Sequence, residues 1–149
     1  MIAVDTNLLV YAHREDTPFH EQAFACIASL ANDPAPWAIP WPCLHEFFAI
    51  VTHPRIYAPP TPLDIALDQI DAWLESPSLV LLSESDLHWP ELRRLIAQGH
   101  LAGPQVHDAR IAALCQQHGV KKLWTADRDF SRFPRLICVN PLVAAENPS

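Results

Sequence analysis

The chain has 149 residues, half of them apolar, with three glycines and fifteen prolines. That composition suits one domain with a full hydrophobic core and excludes both disorder and a collagen-like repeat. A formal net charge of -7 argues against a protein that coats nucleic acid, although clustered carboxylates built to hold a cation would raise the negative count.

Met1 to Val4 is an apolar run that reads as a buried parallel strand, with Asp5 at its C-terminal end. Asp5-Thr6-Asn7 is also good helix-capping material, so a first helix is expected from Leu8 to Arg14. His20 to Leu30 reads as an amphipathic helix through Ala23, Phe24, Ile27, Ala28 and Leu30. Trp37 to Pro40 is a short strand, and Cys43 to Thr52 a strongly apolar helix carrying His45 and Glu46 in its first turns. A proline-rich loop, His53 to Pro62, contains Arg55 and Tyr57. The next helix, Leu63 to Leu74, is expected to bury Leu63, Ala66, Leu67, Ile70 and Leu74 and to wet Asp64, Asp68, Asp71 and Glu75.

Leu79 to Leu82 reads as a third strand. Asp86 to Gln98 reads as a helix with Leu92, Leu95 and Ile96 inward and Arg93 and Arg94 outward. Val106 to His118 is a helix closed by Gly119, with Asp108 in its first turn. Lys121 to Thr125 is a strand ending at Asp127, Ile137 to Val139 is a last strand, and Pro141 begins a loosely held tail. Strands alternating with helices, without hairpin signals, predict a single α/β domain with a mainly parallel sheet.

No run approaches the roughly 18 apolar residues of a membrane span. The first residues lack the basic leader and cleavage site of a signal peptide, so a cytoplasmic location is expected. Cys26, Cys43, Cys115 and Cys138 are scattered without a Cys-x-x-Cys pair and read as reduced and mostly buried rather than zinc-binding.

Four acids share a placement. Asp5 and Asp127 end apolar strands, and Glu46 and Asp108 begin apolar helices. In a parallel sheet, strand C-termini and the following helix N-termini face one edge, so the four carboxylates are expected to converge. Converged like charges hold a proton or bind a cation. An all-oxygen set favours Mg²⁺ or Mn²⁺ over zinc.

Phosphodiester hydrolysis fits such a site. One ion would activate a water, and a second roughly 4 Å away would stabilise the leaving oxygen. Asp5 and Asp108 are the expected direct or bridging ligands, with Glu46 completing the shell or orienting the water and Asp127 completing a second metal position. Asn7 and Thr125 would support them, and Asp129 could be ligand, cap or ion-pair partner. Arg110 and Arg128 are the favoured phosphate contacts among Arg14, Arg55, Arg110, Arg128 and Arg132. His45 and His107 stand beside acids but point to other helix faces. Trp41, Tyr57 and Trp89 could stack on bases or form partner surfaces, although packing is their simpler reading.

MIAVDTNLLVYA, the HEF around Glu46, GPQVHDARIAAL and LWTADRDFSRFP together resemble the PIN-domain ribonucleases, and among them the VapC toxins of toxin–antitoxin pairs. The resemblance runs from Met1 to about Pro141 and implies a three-layer α/β/α, Rossmann-like PIN domain. It implies RNA cleavage with Mg²⁺ or Mn²⁺ by Asp5, Glu46, Asp108 and Asp127, with Asn7, Thr125 and Asp129 as accompanying polar positions. It also implies a homodimer and inhibition by a cognate antitoxin. A metal-dependent DNA nuclease or phosphatase, or a non-catalytic PIN-like binding module, would share much of this pattern.

Overall fold

Five parallel strands in the order β3-β2-β1-β4-β5 form the centre of the computed structural model, which describes residues 1–143. In chain order the elements are β1 (Ile2–Val4), α1 (Thr6–His13), α2 (His20–Asn32), β2 (Trp37–Pro40), α3 (Trp41–Val51), α4 (Leu63–Leu74), β3 (Leu79–Leu82), α5 (His88–Gly99), α6 (Gln105–Gln117), β4 (Lys122–Trp124), a short 3-10 helix (Arg128–Arg132) and β5 (Ile137–Val139). Every strand pair is parallel, with Ala3 opposite Ala38 on one side and Leu123 on the other. Helices cover both faces, giving the expected three-layer α/β/α architecture. Among the described residues no helix is long and apolar enough to cross a membrane.

The strand order reverses at β1, where the chain moves first to β2 and later returns to β4 on the other side. That switch point opens a crevice at the C-terminal edge of the sheet. The Asp5 backbone amide donates to the Trp124 carbonyl at 3.0 Å, so the β1 and β4 exits are tied together.

Element boundaries differ from the sequence reading for local reasons. α1 begins at Thr6, not Leu8, because Asp5 itself is the N-cap and accepts from the Thr6 amide. α3 begins two residues before Cys43, since Pro42 in a first turn lacks only an amide that would have no helical partner. α5 starts at His88 and ends at Gly99, and His100 caps it in the left-handed conformation (φ 51°). Gly99 before it leaves room for Leu101, whose Cδ2 would lie 3.0 Å from an added Cβ.

α4 is the main correction. Only Ala66 and Trp73 are buried on it, while Leu63 and Leu67 are 64% and 53% exposed. Trp73 takes the inward face because its ring meets fully buried Phe47 edge-on, with centroids 4.8 Å apart. Hydrophobic spacing selected the stripe of leucines, but the larger indole decides the rotation. Phe24 of α2 is likewise turned out, at 58% exposure. Arg94 is not free in solvent as expected: it is half-buried and donates to Gln116 of α6 at 2.9 Å and to Glu91.

Phe47 also meets the His13 ring edge-on, at 5.3 Å. Phe47→Ala should therefore lower stability by about 3–5 kcal/mol through a cavity under α4. Urea unfolding would read this as a lower midpoint at unchanged slope. Leu142, in the stretch expected to be a loose tail, is buried, and the remainder of that tail, 144–149, lies outside the described residues. The four cysteines are free, with Cys43 and Cys115 buried.

Candidate metal centre

At the crevice, Asp5 is held from three sides. Its Oδ1 accepts from the Thr6 amide at 2.7 Å and faces the Cys43 thiol at 3.7 Å, and its Oδ2 accepts from the Thr125 hydroxyl at 2.7 Å. Thr125 in turn accepts from the Asp127 amide at 2.9 Å. The Asn7 side-chain carbonyl accepts from the Ala126 amide at 3.3 Å, while its NH₂ stands 3.5 Å from the Thr125 hydroxyl. Asn7 and Thr125, expected as supporting positions, both stand in this hydrogen-bond network. They lock the β1 exit to the loop after β4 and fix where Asp5 and Asp127 stand.

Asp127 caps the 3-10 helix, its Oδ1 accepting from the Asp129 amide at 2.8 Å. The cap draws Asp129 back toward the crevice, and one carboxylate oxygen from each of Asp108, Asp127 and Asp129 lies within 4.8 Å of the others. Asp108 and Asp127 were expected there. Asp129 was the weakest of the acid assignments, yet it stands in the tight group. The two-residue spacing Asp127-x-Asp129 at a cap was the signal for it.

Asp5 and Glu46 flank this triad rather than joining it. Their charges are nonetheless felt across the site. Burial pushes the Asp5 carboxyl up to about 6, against the hydrogen bonds from Thr125 and Thr6, and the Glu46 and Asp127 charges push the same way. Asp108 is also raised to about 6, by burial and then by the charges of Asp127, Asp5 and Asp129, with Arg132 opposing. Burial raises Glu46, His107 counters it, and Asp108 adds to the rise. Five carboxyls therefore share one electrostatic site, and burial first and neighbouring charge second make Asp5, Asp108 and Glu46 resist ionisation. A bound cation would offset the negative charge gathered there, and the oxygen-only triad suits a hard divalent ion.

The cationic rim is uneven. Arg128 lines a cleft with Asp127 and Thr125, and Arg110 lines another with Glu46, His45 and His107. Arg132 braces Asp129, its Nε donating to the Asp129 carbonyl at 2.9 Å and its Nη2 standing 3.7 Å from the carboxylate. Arg14 is removed from phosphate contact. It lies over the Tyr57 ring at 4.3 Å and donates to the Pro59 carbonyl and the Thr61 hydroxyl, pinning the proline-rich loop to α1. Tyr57 is therefore packing. Trp41 stacks near His45 at 6.0 Å, and Trp89 is 60% exposed.

Residues 2–136 match the family model described as "PIN domain". The chain belongs to the PIN-domain family. This PIN domain is 36% identical to Ribonuclease VapC43 of Mycobacterium tuberculosis over 142 residues, covering 95% of this chain and 96% of the relative. It is 30% identical to Ribonuclease VapC48 of the same organism over 129 residues, covering 87% and 89%. Among solved structures, VapBC2 of Rickettsia felis bound to a promoter DNA fragment matches with a TM-score of 0.64 at 23% identity, covering 93% of this chain and 98% of that one. VapC20 of M. tuberculosis, described as a Sarcin-Ricin loop cleaving toxin, matches with a TM-score of 0.64 at 19% identity, covering 88% and 93%. At those identities the structural matches speak for the PIN fold alone.

Proposed function

We propose that this PIN domain is a divalent-metal-dependent endoribonuclease that hydrolyses RNA phosphodiesters with Mg²⁺ or Mn²⁺, as the toxin of a cytoplasmic toxin–antitoxin pair. The observation that carries this reading is the meeting of Asp108, Asp127 and Asp129 within 4.8 Å at the sheet's switch point. Relatives named ribonucleases across nearly the whole chain favour RNA as the substrate. When bound, the cation supplies a water of lowered pKa and neutralises charge on the phosphate.

The protein's own groups have separable roles. Asp108, Asp127 and Asp129 would hold the cation, and Asp5, fixed by Thr6 and Thr125, would add negative charge to the site. Glu46, whose proton affinity is raised, takes the proton of the attacking water. Arg110 and Arg128 meet the strand's phosphates from the rim.

The partners proposed are a cognate antitoxin and a second copy of the chain. The VapBC2 match is described as bound to a DNA fragment from its own promoter, which suits a chain that works with a partner protein. Phe24, Leu63, Ile65 and Leu67 are each nearly half exposed or more, and large exposed apolar groups of this kind are suited to a partner. Light scattering that gave only the single-chain mass of 16.7 kDa at micromolar concentration would remove the homodimer.

Short single-stranded RNA and DNA of one sequence, incubated with Mg²⁺, Mn²⁺ or EDTA, test the activity. RNA cut in both metals, no cutting in EDTA and DNA left whole are the expected results. Cleavage that persists in EDTA would sink the metal role, and cutting of DNA in place of RNA would sink the substrate.

A further inference from the structure

A cavity of about 500 Å³ opens between the end of α5, the loop before α6 and the segment after the 3-10 helix. Leu95, Leu101 and Phe133 make its apolar walls, and Gln98, Gln105 and Arg132 its polar groups. None of these belongs to the acid site, yet the cavity adjoins it twice. Arg132 lines the cavity and braces Asp129. Gln105 stands three residues before Asp108 on α6, which puts the two on one side of the helix.

The polar groups have a common sense. The Gln98 side-chain carbonyl accepts from Arg94 at 2.9 Å, and the Gln105 carbonyl accepts from the Ala102 amide at 3.1 Å. Each donor forces the amide's orientation, so each NH₂ is left without a partner among the described residues. Arg132 is a donor in every state. The cavity therefore pairs apolar walls with two open amide donors and a guanidinium, each glutamine carbonyl being already engaged once.

We propose that this cavity takes an unpaired guanine base of the RNA strand, next to the phosphate held at the acid triad. The proposal rests on the nuclease reading and adds a base preference to it. Guanine offers two adjacent acceptors, O6 and N7, whereas adenine replaces O6 with an amino donor. An adenine in the same pose sets its amino donor against a donor and loses a hydrogen bond that guanine O6 makes there. A cavity of this size falls within the range of small-molecule sites, and its apolar walls cover the base faces.

Two measurements on the full chain decide it. In metal-free buffer, GMP is expected to shift the methyl resonances of Leu95 and Leu101, with AMP binding about 10- to 100-fold more weakly. In Mg²⁺, cleavage of a randomised single-stranded RNA should enrich guanosine over adenosine by about tenfold at one position beside the cut. Gln98→Glu with Gln105→Glu keeps both internal hydrogen bonds and turns the outward NH₂ groups into acceptors. The guanosine-to-adenosine ratio, internal to each protein, should then fall to about one or below in the variant. Cleavage by the wild type without that preference, or a preference unchanged in the variant, overturns the base pocket alone. A GMP response in a chain that cuts no RNA overturns the nuclease reading, and with it the pocket's place beside a scissile phosphate.

Discussion

Asp127→Asn is expected to reduce RNA cleavage by about 10²- to 10³-fold, the usual loss when one preorganised electrostatic contact to the reacting group is removed. The substitution isolates charge from structure. Asn is as good a helix cap as Asp, and its side-chain carbonyl can keep the 2.8 Å bond from the Asp129 amide. The backbone bond from residue 127 to the Thr125 hydroxyl, at 2.9 Å, does not involve the side chain at all. Unfolding measurements should therefore show stability preserved while single-turnover cleavage collapses. Asp129→Asn should lose less, because Asp129 is exposed at the edge of the triad and partly engaged by Arg132. A wild-type rate in Asp127→Asn would remove Asp127 from the metal set and leave it a cap.

The architecture was largely readable from residues because strand and helix signals here are local. Apolar runs, capping acids and prolines at element openings each act over a few positions, and the alternation they produce permits little besides a parallel sheet. The switch-point edge was readable for the same reason: Asp5 and Asp127 follow strands, and strand ends have one edge to share. What sequence could not supply is side-chain direction at that edge. Asp5 and Asp129 illustrate it from both sides. The former is turned into Thr6, Thr125 and the Cys43 thiol, and the latter is brought inward by a cap that only the folded loop creates. The rotation of α4 has the same origin, since Trp73 finds Phe47 through tertiary packing that periodicity does not encode. Arg132 stood in sequence among five candidate arginines, behind the favoured Arg110 and Arg128. Its backbone and carboxylate contacts to Asp129 distinguish it in the fold.

Asp5→Asn tests the remaining question about that residue, and the metal-free protein is where the test is sharpest. Asp5 is 5% exposed, and its carboxyl rises from 3.8 to about 6 on folding. Between those values the folded chain holds more protons than the unfolded chain, so this group's contribution makes stability fall as pH rises. The loss begins near pH 4, is complete a little above pH 6, and amounts to roughly 3 kcal/mol for Asp5. Asp108, also raised from 3.8 to about 6, acts in the same window, with its contribution reduced by solvent screening. In EDTA at pH 7.5, Asp5→Asn should then be more stable than wild type, by up to about 3 kcal/mol, and the advantage should vanish near pH 4, where the wild-type carboxyl is neutral. Added Mn²⁺ should narrow that gap. Binding to the folded state alone stabilises by about 2.7 kcal/mol at a hundredfold excess over Kd, and the variant, short of one negative charge at the site, should gain less. If Asp5→Asn is instead the less stable protein at pH 7.5 without metal, the bonds to Thr6 and Thr125 outweigh the cost of the buried charge. Asp5 would then be a structural cap, and the triad alone would have to supply the cation's negative charge.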